Sequence, residues 1–200
     1  MMPPPFNLEP RFHLRGNGGF RSKSGNYFLA SVQCDSDKMK FIADGMLGKL
    51  ARWLRLAGHD VIYIGDLNVP ASEQDDTLLS LSKSGKKVLL TRDMALHRRA
   101  RRAGIKSTLI EGSAVVEQLV ELSKRCGSKI RIQPESSRCP MCNGLLELAG
   151  KEEIEGKIPA TVLRAQSEFW RCVKCGKLYW HGKHWKTILE MASRYNRMVK

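Results

Sequence analysis

Residues 40–65 read KFIADGMLGKLARWLRLAGHDVIYIG, an apolar run, a helical stretch and a second apolar run. The first run, residues 40–44, is short and continuous, as a strand buried on both faces should be, and residues 61–65 repeat it. Between them, residues 46–58 put Leu47, Leu50, Leu54 and Ala57 on one helical face, and Gly58 supplies the stop. Two strands joined through a helix must lie parallel, because a hairpin turn cannot connect them. The rhythm then continues. Residues 75–85 predict a helix whose first residues, Asp75 and Asp76, suit its positive end. Strands at 87–91 and 107–111 alternate with helices at 94–103 and 114–124. The expectation is an α/β fold, a parallel sheet flanked by helices, with ligands bound outside the carboxyl ends of its strands.

The flanks read differently. Residues 1–38 carry Pro3, Pro4, Pro5, Pro10, Gly16, Gly18, Gly19 and Gly25 with little apolar periodicity, which predicts a flexible extension; Met39 would serve as a start. The α/β rhythm ends near residue 126. Residues 126–200 are expected to form a small metal-stapled module with a closing helix at 185–198, so the folded pieces are 39–125 and 126–200.

The chain has 200 residues, 34 Lys plus Arg against 20 Asp plus Glu, a net charge of +14, and 42% apolar content. A core of ordinary size fits this composition, and a disordered chain does not. No apolar run is long enough for a membrane span and no signal-type segment opens the chain, so the expected compartment is the cytoplasm, with no membrane partner. The positive surplus favours a polyanionic partner, chiefly nucleic acid.

Four of six cysteines fall in two pairs, Cys139-Pro-Met-Cys142 and Cys172-Val-Lys-Cys175, each followed by turn residues (Asn143-Gly144 and Gly176). Four thiolates in close pairs meet zinc's tetrahedral demand, and with all four positions filled the ion would be structural. A redox dithiol would instead place one pair at a helix start after a strand. Each module is expected to have its own source of stability.

Asp44 ends the first strand and Asp93 follows the third, which brings both to the same sheet edge. Asp75 and Asp76 at a helix start, and Asp66 after the second strand, could join them. Carboxylates that converge repel one another unless a divalent cation lies between them, and oxygen ligands suit Mg²⁺ or Mn²⁺. Such a metal would activate water against a phosphodiester. Lys49, Arg52 and Arg55 recur on the first helix, Arg92 precedes Asp93, and Arg98, Arg99, Arg101 and Arg102 crowd the next helix. Solvated faces would explain them cheaply, but closeness to the acids favours phosphate contact. Tyr179, Trp180 and His184 interleave rings with cations, as stacking on unpaired bases requires, although packing of the zinc module would use the aromatic residues equally well.

Residues 39–58, Leu89-Leu-Thr-Arg-Asp93, Arg138-Cys-Pro-Met-Cys-Asn-Gly144 and residues 172–180 together resemble the Mut-seven C-terminal RNase domain family, over about residues 39–190. The resemblance implies a PIN-like nuclease core with a fused zinc ribbon. It also implies an Mg²⁺ or Mn²⁺ site on Asp44, Asp93 and Asp75, and RNA as substrate. The reading is a metal-dependent ribonuclease acting on single-stranded RNA, with a homodimer left open. One alternative is an RNA-binding adaptor without turnover, since no fourth acid is evident beyond Asp93. A phosphoryl-accepting receiver ranks far behind, because it would want two adjacent acids after the first strand and a Lys after the last.

Overall fold

The computed structural model describes residues 38–127, 129–130, 137–182 and 185–199. The extension expected over 1–38 therefore lies, Lys38 apart, outside the described residues, and so does His184.

Strands β1 (Lys40–Ala43), β2 (Asp60–Tyr63), β3 (Val88–Thr91) and β4 (Ser107–Leu109) form one parallel sheet in the order β2-β1-β3-β4. Phe41 is in register with Val61 on one side and Val88 on the other. Successive side chains alternate between faces. Phe41, Ala43 and Leu90 join a cluster built from α1 (Gly48–Leu56) and α4 (Val115–Cys126), whereas Ile42 and Leu89 join one with α2 (Gln74–Gly85) and α3 (Met94–Arg102). Both faces are covered, which is why the strands read as unbroken apolar runs. The helix expected from residue 46 opens with a separate 3-10 turn, Gly45–Leu47, because the Asp44 carboxylate accepts the Met46 N–H at 2.9 Å and tightens the chain there. Gly58, at φ 86°, ends α1 in the left-handed region that a side chain would resist.

The second unit is an antiparallel sheet of β5 (Leu146–Leu148), β6 (Phe169–Cys172) and β7 (Leu178–Trp180). Two short helices, α5 (Lys151–Ile154) and α6 (Ala160–Ala165), connect β5 to β6, in a stretch whose sequence reads only as turns. They bring Ile154, Val162 and Leu163 onto Phe169 and Leu178, while the opposite face carries Cys139, Cys172 and Tyr179.

The closing helix α7 (Trp185–Met198), which the sequence groups with the ribbon, packs on α4 instead, and its Ile188 and Tyr195 belong to the core cluster of α1 and α4. The buried Tyr195 hydroxyl meets Ser123 Oγ at 2.7 Å and accepts the Ile130 N–H at 2.8 Å. No helix among the described residues is long and apolar enough to cross a membrane.

Replacing Tyr195 with Phe keeps the packing but leaves a buried Ile130 N–H without its acceptor, so stability should fall by about 1–3 kcal/mol. A lower urea midpoint at unchanged slope is the expected reading.

Candidate active site and metal centre

The chain runs from β1 through α1 on one face of the sheet, and from β3 through α3 on the other, so a crevice opens where these adjacent strands end. Asp44 and Asp93 stand at its two banks. Asp44 is buried: its Oδ1 accepts the Met46 N–H, and its Oδ2 accepts the Arg92 N–H at 2.8 Å and the Thr91 hydroxyl. Thr91 Oγ1 also accepts the Asp93 N–H at 2.9 Å, so one buried hydroxyl links the segments that carry both acids. Asp93 caps α3, its Oδ1 accepting the Ala95 N–H at 2.6 Å and the Leu96 N–H at 3.2 Å. Among the described residues no hydrogen bond reaches Asp93 Oδ2, and Asp44 Oδ1 accepts only one. A carboxylate offers about four lone-pair directions, so both acids retain capacity for a cation.

The other predicted acids are engaged elsewhere. Arg99 reaches from α3 to α2, with Nη1 at 3.1 Å from Asp75 and Nη2 at 2.6 Å from Asp76. Asp66 pairs with Arg55 at 2.7 Å. Asp44, Asp75 and Asp93 are not gathered tightly, since among the described residues the only three or more metal-ligating groups with atoms within 4.8 Å of one another are Cys139, Cys142, Cys172 and Cys175.

Those four sulfurs have the dimensions of a metal site. Cys139 and Cys175 lie 3.8 Å apart and Cys142 and Cys172 3.4 Å apart, near the edge of about 3.8 Å expected for a tetrahedron with zinc–sulfur bonds of about 2.3 Å. Each knuckle closes on a residue in the left-handed region, Asn143 (φ 65°) and Gly176 (φ 69°). Gly144 is required by space, because a Cβ there would come within 2.8 Å of Cys172 Sγ and of the Lys174 Cβ. Burial, helped by the neighbouring thiols, pushes Cys142 up to about 12, and burial raises Cys172 as well. Burial also opposes ionisation of Cys175, but the Lys177 N–H and the three surrounding thiols outweigh it and hold this thiol below its usual value. A divalent soft-ligand metal such as zinc would supply the charge that four thiolates brought this close together need. Tyr179 is fully buried, its hydroxyl 2.9 Å from Cys139 Sγ, and burial followed by that contact pushes its ionisation well above the usual phenol range.

The family model of the Mut7-C RNAse domain matches residues 39–192, which takes in both the crevice and the cysteine cluster. The chain belongs to the Mut7-C RNAse domain family. No curated protein and no solved structure matches it.

Two sequence readings of this Mut7-C domain need correction. Arg55 is 2% exposed and cannot bind RNA: Nε donates to Val61 O at 2.9 Å, Nη1 to Pro140 O at 3.1 Å and Met141 O at 3.3 Å, and Nη2 to Asp66. Tyr179 is no stacking platform either, since its ring lies inside the cysteine-bearing face of the ribbon. Trp180 is half-buried against Leu178 and Phe169 on the other face, the packing role. Lys49, Arg52, Arg98, Arg101 and Arg102 are exposed; Arg99 is exposed but ion-paired, and Arg92 is half-buried.

Nothing in the sequence marked the junction that Arg55 makes. The first knuckle lies on the edge strand β2, where Asn143 Oδ1 accepts the Val61 N–H at 3.0 Å and Asn143 Nδ2 donates to Asp60 at 2.7 Å. Lys87 holds the other oxygen of Asp60 at 2.7 Å. Arg138 N–H donates to Arg55 O at 2.9 Å, and the Ser137 hydroxyl to Leu56 O. The two units of this Mut7-C domain are therefore joined by hydrogen bonds as well as by the chain. Burial pushes Asp60 upward, but Lys87 and Asn143 more than offset it, so its carboxyl lies below 3.8.

Two outcomes follow for this junction. Stability contributed by Asp60 should be present above its unfolded value of 3.8 and lost as pH falls through the lower folded value, and an Asp60→Asn variant should lack that part of the acid transition in melts. Tyr179→Phe should weaken zinc binding about 10–100-fold, as competition with a chromophoric chelator reads it, because the Cys139 thiolate loses its hydroxyl donor.

Proposed function

We propose that the protein is a metal-dependent ribonuclease that hydrolyses phosphodiester bonds in single-stranded RNA. The observation that carries the reading is the pair Asp44 and Asp93, joined through Thr91 at the crevice between β1 and β3, in a chain of an RNase-domain family. Asp44 Oδ1 and Asp93 Oδ2 would hold Mg²⁺ or Mn²⁺, which supplies an activated water and charge stabilisation at phosphorus. Asp75 would contribute after exchanging its Arg99 partner. The exposed cations Lys49 and Arg52 on α1 and Arg98 on α3 would balance the phosphates of a strand laid across the acids, with Arg101 and Arg102, in the last turn of α3, serving further along its path. The four cysteines would hold a structural zinc. The cytoplasm is the proposed compartment.

A second reading, an RNA-binding adaptor without turnover, draws on the Arg99 ion pairs, which occupy Asp75 and Asp76.

Asp93→Asn separates the two cleanly. Asn caps a helix as well as Asp does, so Oδ1 keeps its two amide bonds while Oδ2 is exchanged for a nitrogen that cannot ligate a cation. Cleavage of a labelled single strand with Mn²⁺ should drop by about 100-fold or more at an unchanged melting temperature. Asp44→Asn should cost similar turnover, and the double variant little more, because two ligands of one ion act as a unit. Wild-type protein that binds the strand and never cuts it favours the adaptor.

A further inference from the structure

The acids at the crevice have apolar neighbours. Met46 is 68% exposed and Met94 is 45% exposed, and each sits beside one of the carboxylates. The Met46 N–H binds Asp44, and Met94 follows Asp93 as the first residue of α3. One methionine is thus on the α1 bank and the other on the α3 bank. The Asp44 carboxylate bridges the banks, since it accepts from Met46 N on one and Arg92 N on the other.

The α1 bank is built to hold its position. The Tyr63 hydroxyl donates to Gly45 O at 2.9 Å, and its ring fills the space over Gly48 and Gly65, where a Cβ would come within 2.9 and 2.4 Å of ring atoms. Two glycines are needed to seat this ring, and the ring pins the peptide between Asp44 and Met46.

We infer that Met46 and Met94, with Tyr63 fixing the Met46 bank, form an apolar clamp that takes the unpaired base beside the phosphate held at Asp44 and Asp93. The inference rests on the ribonuclease reading for its ligand. Thioether chains are soft and polarisable and pack against flat rings without demanding one sequence. Lys49 and Arg52 on α1 and Arg98 on α3 give the charge complement for a phosphate strand, which separates this ligand from an apolar protein segment. Base faces are hidden within a duplex stack and open in a single strand, so the clamp makes the site selective for unpaired RNA.

The test is equilibrium binding by fluorescence anisotropy in buffer without Mg²⁺ or Mn²⁺, where the strand stays intact. Three probes are used: a short single-stranded RNA, the same strand carrying abasic sites, and its duplex. A Met46→Gln, Met94→Gln double variant, both changes lying on exposed positions, should bind the single strand about ten-fold more weakly and the abasic strand within about two-fold of wild type. Lys49→Ala with Arg52→Ala should weaken both strands alike. The clamp is overturned if the methionine variant binds the single strand as wild type does, or loses equally on both strands. It is also overturned if wild type prefers the duplex, or if the variant changes only self-association in sedimentation, which would give these residues to a second copy. Cutting is scored separately. A base-dependent methionine effect in a protein that never cleaves with Mn²⁺ keeps the clamp and removes the hydrolase reading; normal cleavage with no methionine effect does the reverse.

Discussion

The buried guanidinium of Arg55 is the constraint around which both units are arranged. A charge taken out of water is tolerated only where its donors are satisfied, and here α1 supplies the charge, β2 and the first cysteine knuckle supply carbonyls, and Asp66 supplies the counter-charge. The planar fork matters, because an ammonium's three donors spring from one nitrogen and lack the spread to reach all three elements. Any departure of the knuckle would strand Arg55 donors in an apolar setting. The position of the zinc-type cluster is therefore fixed by electrostatics inside the α/β core as well as by its own cysteines.

The crevice has a topological origin. Because β1 and β3 are neighbours whose connections leave toward opposite faces, two helix starts diverge from adjacent strand ends, and each start needs a capping acceptor. Asp44 and Asp93 meet that structural need with some of their lone pairs. The lone pairs left over are those the proposed metal site would use, so one pair of residues would serve the fold and the chemistry at once. Thr91, between them, keeps the two segments in register.

Much of this was readable from the chain. The apolar runs at 40–44, 61–65 and 87–91 and the helical stripes between them correctly gave a parallel sheet with helices on both faces, and the paired cysteines announced their cluster. The Arg55 role was not readable, because steps of three residues drift by about 60° each around a helix, which leaves Arg55 about 120° from Lys49, at the border of the apolar stripe. Whether such a side chain snorkels or turns inward depends on carbonyls more than eighty residues away. Tyr179 and Trp180 looked like one aromatic patch, yet adjacent strand residues must point to opposite faces, and the sheet separates them. The chain read as a closing helix at 185–198 within the ribbon, and nothing in it showed that Ile188, Ala192 and Tyr195 would be buried, with Ile188 and Tyr195 in the core of α1 and α4.

The return of α7 to α4 makes the ribbon an insertion, tied to the core at both ends. A growing chain that has completed β4 and α4 still lacks Ile188 and Tyr195, so the α1–α4 face stays open while residues 137–182 are made. Core closure must then wait for the ribbon to finish, and the last helix acts as the bolt that seals a nearly complete sheet. For this architecture, order of synthesis and order of assembly diverge: the first half is made early and finished last.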